Sequence, residues 1–137
     1  MIILDTDVIS AIMRAEKEAI SWLNRQAASS IWTTAVTIFE IQSGLAFMLS
    51  GRRRSTTELA FRKVIEDDLS NRVLSFDRAA ASEAASLMAT RHRSGRIKES
   101  RDTMIAGIAL AQNATLATRN VRHFDDLRVP VVNPWHV

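Results

Sequence analysis

Met1-Ile2-Ile3-Leu4-Asp5-Thr6-Asp7-Val8-Ile9-Ser10 opens the chain. Ile2, Ile3 and Leu4 read as a short strand, because a brief apolar run without polar alternation suits a strand covered on both faces. A helix is expected immediately after it, over 8–14. Asp5 therefore falls at the carboxyl end of the first strand, close to the centre line of any sheet built on it, and Asp7 follows two residues later. Both acids have an alternative reading, since Asp5, Thr6 or Asp7 can each cap the helix that begins near Val8.

Outward from this segment, short apolar runs alternate with longer helical patterns. Helices are expected over 16–26 and over 35–49, the latter apolar nearly all round and closed by Gly51. Ser55-Thr56-Thr57-Glu58 has the form of a capping box opening a helix that runs to about Leu69. Asp77 caps a helix ending near Arg93, with Gly95 in the turn beyond it, and a further helix spans 100–112. Strands are expected over 30–33, 72–75, 115–118 and 129–132. Strands separated by helices predict an α/β three-layer sandwich, a central mostly parallel sheet flanked by helices, formed as a single domain over 1–137. In such sheets sites lie beyond the carboxyl ends of the strands, so the residues just after each strand carry the most interest.

Composition narrows the chemistry. The chain has 137 residues and no cysteine, which excludes disulfides, thiolate metal sites and cysteine nucleophiles. No apolar run reaches membrane-spanning length, no basic leader precedes the first apolar residues, and a cytoplasmic location is expected. Lys and Arg outnumber Asp and Glu by 18 to 15, a net charge of +3. The basic residues cluster at Arg52-Arg53-Arg54 and from Arg91 to Arg101, whereas several acids stand beside apolar segments. That distribution suits a polyanionic partner held near an acidic site, although ordinary solvation accounts for the charge equally well.

Glu40 is the most diagnostic of these acids. It lies mid-helix, sharing a face with Val36, Ser43, Gly44 and Phe47. An ionised carboxylate in a helix buried on two sides is costly unless a cation compensates it. An arginine partner would serve, a protonated, neutral glutamic acid would avoid the cost, and a metal ion would compensate it once other acids are near. Asp102 opens the helix over 100–112 on the face of Ile105, Ala106 and Ala109. The helix dipole alone favours an acid there. Asn120 lies two positions past the strand ending at Thr118, as a turn residue or as an oxygen donor. Asp5, Glu40 and Asp102 come from separate elements that the predicted topology lets converge at one edge of the sheet. Close carboxylates raise one another's pKa unless a cation intervenes. A donor set of oxygens favours Mg²⁺ or Mn²⁺ over zinc, and His92, His123 and His136 show no zinc-binding spacing.

These segments resemble the PIN-domain ribonucleases, specifically VapC toxins of the FitB-like branch. Ile3-Leu4-Asp5-Thr6-Asp7-Val8-Ile9-Ser10 looks like the family's opening motif. Thr37-Ile38-Phe39-Glu40-Ile41-Gln42-Ser43-Gly44 looks like its glutamate helix, and Arg101-Asp102-Thr103-Met104-Ile105-Ala106 its third acidic motif. Leu116-Ala117-Thr118-Arg119-Asn120 through His123-Phe124, with Asn133-Pro134-Trp135, looks like its closing segment. The resemblance implies a PIN-like fold and a metal-dependent ribonuclease with Asp5, Glu40 and Asp102 as catalytic, metal-binding acids, Asn120 as a further metal-site residue and Thr6 and Thr118 as supporting hydroxyls. The family often has an acid at the position of Asn120, and asparagine is common at that of Asp7, so one tightly held Mg²⁺ is expected rather than two. Arg119, Arg91, Arg93 and Arg96 are candidates to hold RNA phosphates. The resemblance further implies a toxin with a small antitoxin partner laid across the acidic groove, a homodimer, and contact with DNA only through the antitoxin. The apolar helix over 35–49 and the helix after it offer a surface for dimerisation or antitoxin binding, unless they simply pack on each other.

Two other functions fit part of the pattern. In a phosphatase of the haloacid dehalogenase type, Asp5 would be the nucleophile and Asp7 the acid/base, but no lysine stands at the expected place and Glu40 has no role. A non-catalytic RNA-binding module would account for Asn120 alone.

Overall fold

The structure, a computed structural model, describes residues 1–96 and 99–136. Five strands, β1 (Ile2–Leu4), β2 (Ile31–Thr34), β3 (Val73–Leu74), β4 (Thr115–Ala117) and β5 (Val131–Val132), form one sheet in the order β3-β2-β1-β4-β5. Every pairing is parallel. Among the described residues six α-helices cover it: α1 (Thr6–Met13), α2 (Lys17–Asn24), α3 (Ala35–Phe47), α4 (Arg52–Arg62), α5 (Arg78–Arg93) and α6 (Ser100–Gln112). This is the expected three-layer sandwich.

Strand pleating assigns the layers, because successive side chains point to opposite faces. Leu4 packs with Val8 and Ile12 of α1, Trp22 of α2, and Ile41 and Leu45 of α3. Ile3 packs on the other side with Leu87 of α5 and Ile105, Ala106 and Ala109 of α6. The two helices of this second layer approach closely at Gly107, where a Cβ would lie 2.5 Å from the Ala80 carbonyl oxygen and 2.7 Å from the Ala84 Cβ. β1 occupies the centre. The chain leaves it toward β2 on one side and returns as β4 on the other, so the strand order reverses beside β1. A crevice opens at such a switch point, and Asp5 and Thr118 follow the two strands that flank it.

Three expectations need correction around α3 and α4. Helix α3 stops at Phe47, with Met48 already extended, and Gly51 belongs to the start of the next helix. Its φ of +149° is a conformation open chiefly to glycine, and the Ser55 N–H donates to its carbonyl (3.1 Å) to close the first turn. Helix α4 accordingly begins at Arg52, and the anticipated capping box lies inside it. Glu58 pairs there with Arg54 (2.9 Å), and the Thr57 hydroxyl donates to the Arg53 carbonyl (2.8 Å). The helix then widens into a π-helical turn over Lys63–Asp68, closed by Ser70 and Asn71 at positive φ. Nor is α3 covered all round. Ile41 and Leu45 face one layer and Val36 the other, but Phe39 is 58% exposed and Phe47 88%. Among the described residues no helix is long and apolar enough to cross a membrane.

Candidate active site

Asp5 is where the backbone of β1 turns into α1, and its N–H still donates to the Ala117 carbonyl of β4 (2.9 Å). The side chain is buried. Its Oδ1 accepts the Thr6 N–H (2.8 Å), so the capping role considered for Asp5 is real. Its Oδ2 accepts the hydroxyl of the buried Thr118 (2.8 Å). Burial foremost, and then the charge of Asp7, push the Asp5 carboxyl up to about 7 against the pull of the Thr118 and Thr6 donors, with Asp102 adding to the rise. Asp7 is also held above its ordinary range, chiefly by burial. Its Oδ2 takes the Arg119 N–H (3.0 Å), while its Oδ1 is buried with no hydrogen-bond partner. A buried acceptor without a donor is an exception in native proteins and marks a place for a water or an ion.

Glu40 approaches from α3. Its Oε1 accepts the Thr6 hydroxyl (2.8 Å), so Thr6 joins Asp5 through its backbone and Glu40 through its side chain. The Thr6 hydroxyl also lies 3.0 Å from that of Thr37, one turn before Glu40 on the same helix face. Oε2 stands 3.9 Å from Nη1 of Arg101. Both explanations weighed for Glu40 therefore have a counterpart: a guanidinium is near, and other acids are near. Burial holds the Glu40 carboxyl above its usual value, Thr6 and Arg101 oppose this, and the charge of Asp102 reinforces it.

Asp102 completes the group from the first turn of α6, with its side chain 20% exposed. Its Oδ2 is 3.0 Å from Nδ1 of His123, a contact for which the sequence held no spacing signal. Asn120 is exposed and meets the site through its backbone, whose N–H donates to the Thr118 hydroxyl (3.1 Å). Asp5, Glu40 and Asp102 thus share one electrostatic neighbourhood. Among the described residues, however, no three acid or histidine side chains form a ready-made metal-ligand cluster. Their oxygens are turned to Thr6, Thr118, His123 and Arg101 instead. A hydrated divalent cation that keeps several waters and takes only one or two carboxylates fits this donor set and the partnerless Asp7 oxygen better than a fully protein-caged ion would.

The arginines divide sharply. Arg91, expected among the phosphate-holding residues, is buried and spent on structure. It donates to both oxygens of Asp126 (2.8 Å each), to the Thr103 hydroxyl and to the His123 carbonyl (2.9 Å each). Arg96 pairs with Asp125. Arg119 is exposed, its guanidinium 4.6 Å from the centre of the Trp135 ring. A groove of about 650 Å³ starts at Thr6 and Glu40 and runs between α1, α3 and α4, with Arg14, Arg53 and Arg101 along it. Thr37 and Arg101 were readable in principle, the first from its helical spacing to Glu40 and the second from its place beside Asp102.

Acids at the switch point of a parallel sheet, with basic groups along the adjoining groove, characterise this α/β domain. The chain belongs to the PIN-domain family: residues 2–129 match the PIN domain. It is 36% identical to the plasmid stability protein StbB of Pseudomonas syringae pv. tomato, covering 98% of this chain and 99% of that one. It is 34% identical to the VapC ribonuclease Y4jK of Sinorhizobium fredii, covering 98% of each. The solved structure of FitAcB from Neisseria gonorrhoeae superposes with a TM-score of 0.85 at 29% identity, covering all of both chains. The chain therefore stands with the VapC and FitB proteins, as its motifs suggested, and the phosphatase alternative loses its basis.

Proposed function

We propose that this protein is a ribonuclease that hydrolyses RNA phosphodiester bonds with a divalent cation, Mg²⁺ or in its place Mn²⁺, and that it is the toxin of a toxin–antitoxin pair. The observation that supports the reading best is Asp5: a buried carboxyl, raised to about 7 and neighboured by Asp7 and Asp102, is a group that a cation would relieve. Relatives named VapC ribonuclease and Toxin FitB supply the reaction class.

In this scheme Asp5 and Asp102 would hold the ion, with Glu40 beside them and the side-chain carbonyl of Asn120 as the oxygen donor to be tested. A bound divalent ion would supply Lewis acidity toward the phosphoryl group and acidify a water for in-line attack. Glu40, oriented by the Thr6 hydroxyl, would be the proton acceptor for the attacking water. Thr6 and Thr118 fix the orientations of Glu40 and Asp5. Arg101, Arg14 and Arg53 hold the phosphate backbone along the groove, which makes binding salt-sensitive.

The antitoxin is a small protein with a segment lying across the same groove, and DNA is reached only through it. The structural neighbours include FitAB bound to a DNA fragment. The exposed Phe39 and Phe47 of α3 are large apolar side chains of the kind found at association surfaces, and we assign them to a homodimer contact. A chain without cysteine suits the cytoplasm.

The test is incubation of the purified protein with structured RNAs, with and without Mg²⁺ or Mn²⁺, beside the Glu40→Gln variant. Cleavage that needs the ion and disappears in the variant is expected. RNA that is bound but left uncut in either ion would overturn the enzyme in favour of a binding module.

A further inference from the structure

Asp102 and His123 lie on different elements, α6 and the 3₁₀ turn Val121–Phe124. Their side chains meet at 3.0 Å although that of His123 is 50% exposed. A half-exposed pair of this kind is ordinarily loose. Here one buried group ties the two elements together. Arg91, 3% exposed and held by the two Asp126 oxygens, donates through Nη1 to the hydroxyl of Thr103, the residue after Asp102, and through Nη2 to the carbonyl of His123 itself. The guanidinium is a rigid planar fork, so the start of α6 and the 3₁₀ turn are set at one spacing. A carboxylate only accepts hydrogen bonds, so Nδ1 of His123 carries the hydrogen.

We propose that His123 is a positioning residue for the acidic site: its Nδ1–H holds Oδ2 of Asp102 and leaves Oδ1 for the cation. This rests on the proposed function, because it takes Asp102 as a ligand. Groups that orient ligating carboxylates in this way are worth about 10–100-fold in metal affinity or activity when removed. The buried Arg91–Asp126 pair is then part of the site's construction.

The experiment uses three full-length proteins, wild type, His123→Ala and His123→Asn. The asparagine amide N–H₂ sits close to the place of Nδ1 and can donate to Asp102, whereas alanine cannot. Calorimetric titration with Mn²⁺ alone is the first readout, RNA cleavage resolved into kcat and KM the second, and thermal melts confirm folding. His123→Ala is expected to bind Mn²⁺ about 10–100-fold more weakly and to lose kcat with KM for RNA nearly unchanged, while His123→Asn recovers most of both. Unchanged Mn²⁺ affinity in a folded His123→Ala, with the wild type binding the ion, overturns the positioning role alone. Equal losses in both variants also overturn it, since the ring itself would then be needed. Failure of the wild type to bind Mn²⁺ overturns this inference together with the proposed function.

Discussion

Replacing Asp5 by asparagine should make the metal-free protein more stable at alkaline pH while removing a proposed ligand. The folded-state pKa of Asp5 is about 7 against an ordinary 3.8. At 1.36 kcal/mol per unit, the ionised side chain costs the fold about 4 kcal/mol. The sign follows from proton linkage. Between pH 3.8 and about 7 the folded protein holds a proton that the unfolded chain has released, so the penalty grows with pH across that window. It is complete above about pH 7 and vanishes below 3.8. Asparagine keeps an oxygen for the Thr6 N–H, and the Thr118 hydroxyl can rotate to accept from the new amide. A weakened hydrogen bond costs about 1 kcal/mol, which leaves a net gain of about 2–3 kcal/mol. For a domain of this size that is a rise in Tm of roughly 6–10 °C. The assay is a thermal melt of both proteins in EDTA at pH 8 and at pH 5, repeated at pH 8 with Mg²⁺. The advantage of Asp5→Asn should shrink at pH 5, and Mg²⁺ should raise the wild type more than the variant. An equal or lower Tm for the variant at pH 8 in EDTA, or a gap that ignores pH, would refute the account of Asp5 as an acid buried among acids.

Further outcomes test other parts of the structure. Asp102→Asn should abolish RNA cleavage with the far-ultraviolet circular dichroism unchanged, and full activity in the purified variant would remove Asp102 from the site. Asp126→Ala leaves the buried Arg91 without its counter-charge and should destabilise the fold by about 3 kcal/mol, read as a shift in the urea midpoint; a neutral result would mean that Arg91 finds water. Gly107→Ala places a methyl 2.5 Å from the Ala80 carbonyl oxygen and 2.7 Å from Ala84 Cβ, so α5 and α6 must separate at a cost of about 1–3 kcal/mol, and an unchanged Tm would show that the two helices have slack.

The alternation of short apolar runs with helical patterns was enough for the sandwich, because side-chain periodicity is a local property and parallel strands joined by helices have few ways to stack. The positions of Asp5, Asp102 and Thr118 at element ends were legible for the same reason. Local rules misled where two helix starts competed: Ser55-Thr56-Thr57-Glu58 has the chemistry of a cap, but the positive φ of Gly51 starts the helix a turn earlier. They misled again for α3, whose apolar residues imply burial although Phe39 and Phe47 stay exposed among the described residues. His123 beside Asp102, Arg91 drawn into the core, and Thr6 linking Asp5 to Glu40 were decided only by the tertiary structure. Each depends on distances between segments far apart in sequence, and no local pattern records which of several arginines or histidines will lie nearest a given acid once the layers have packed.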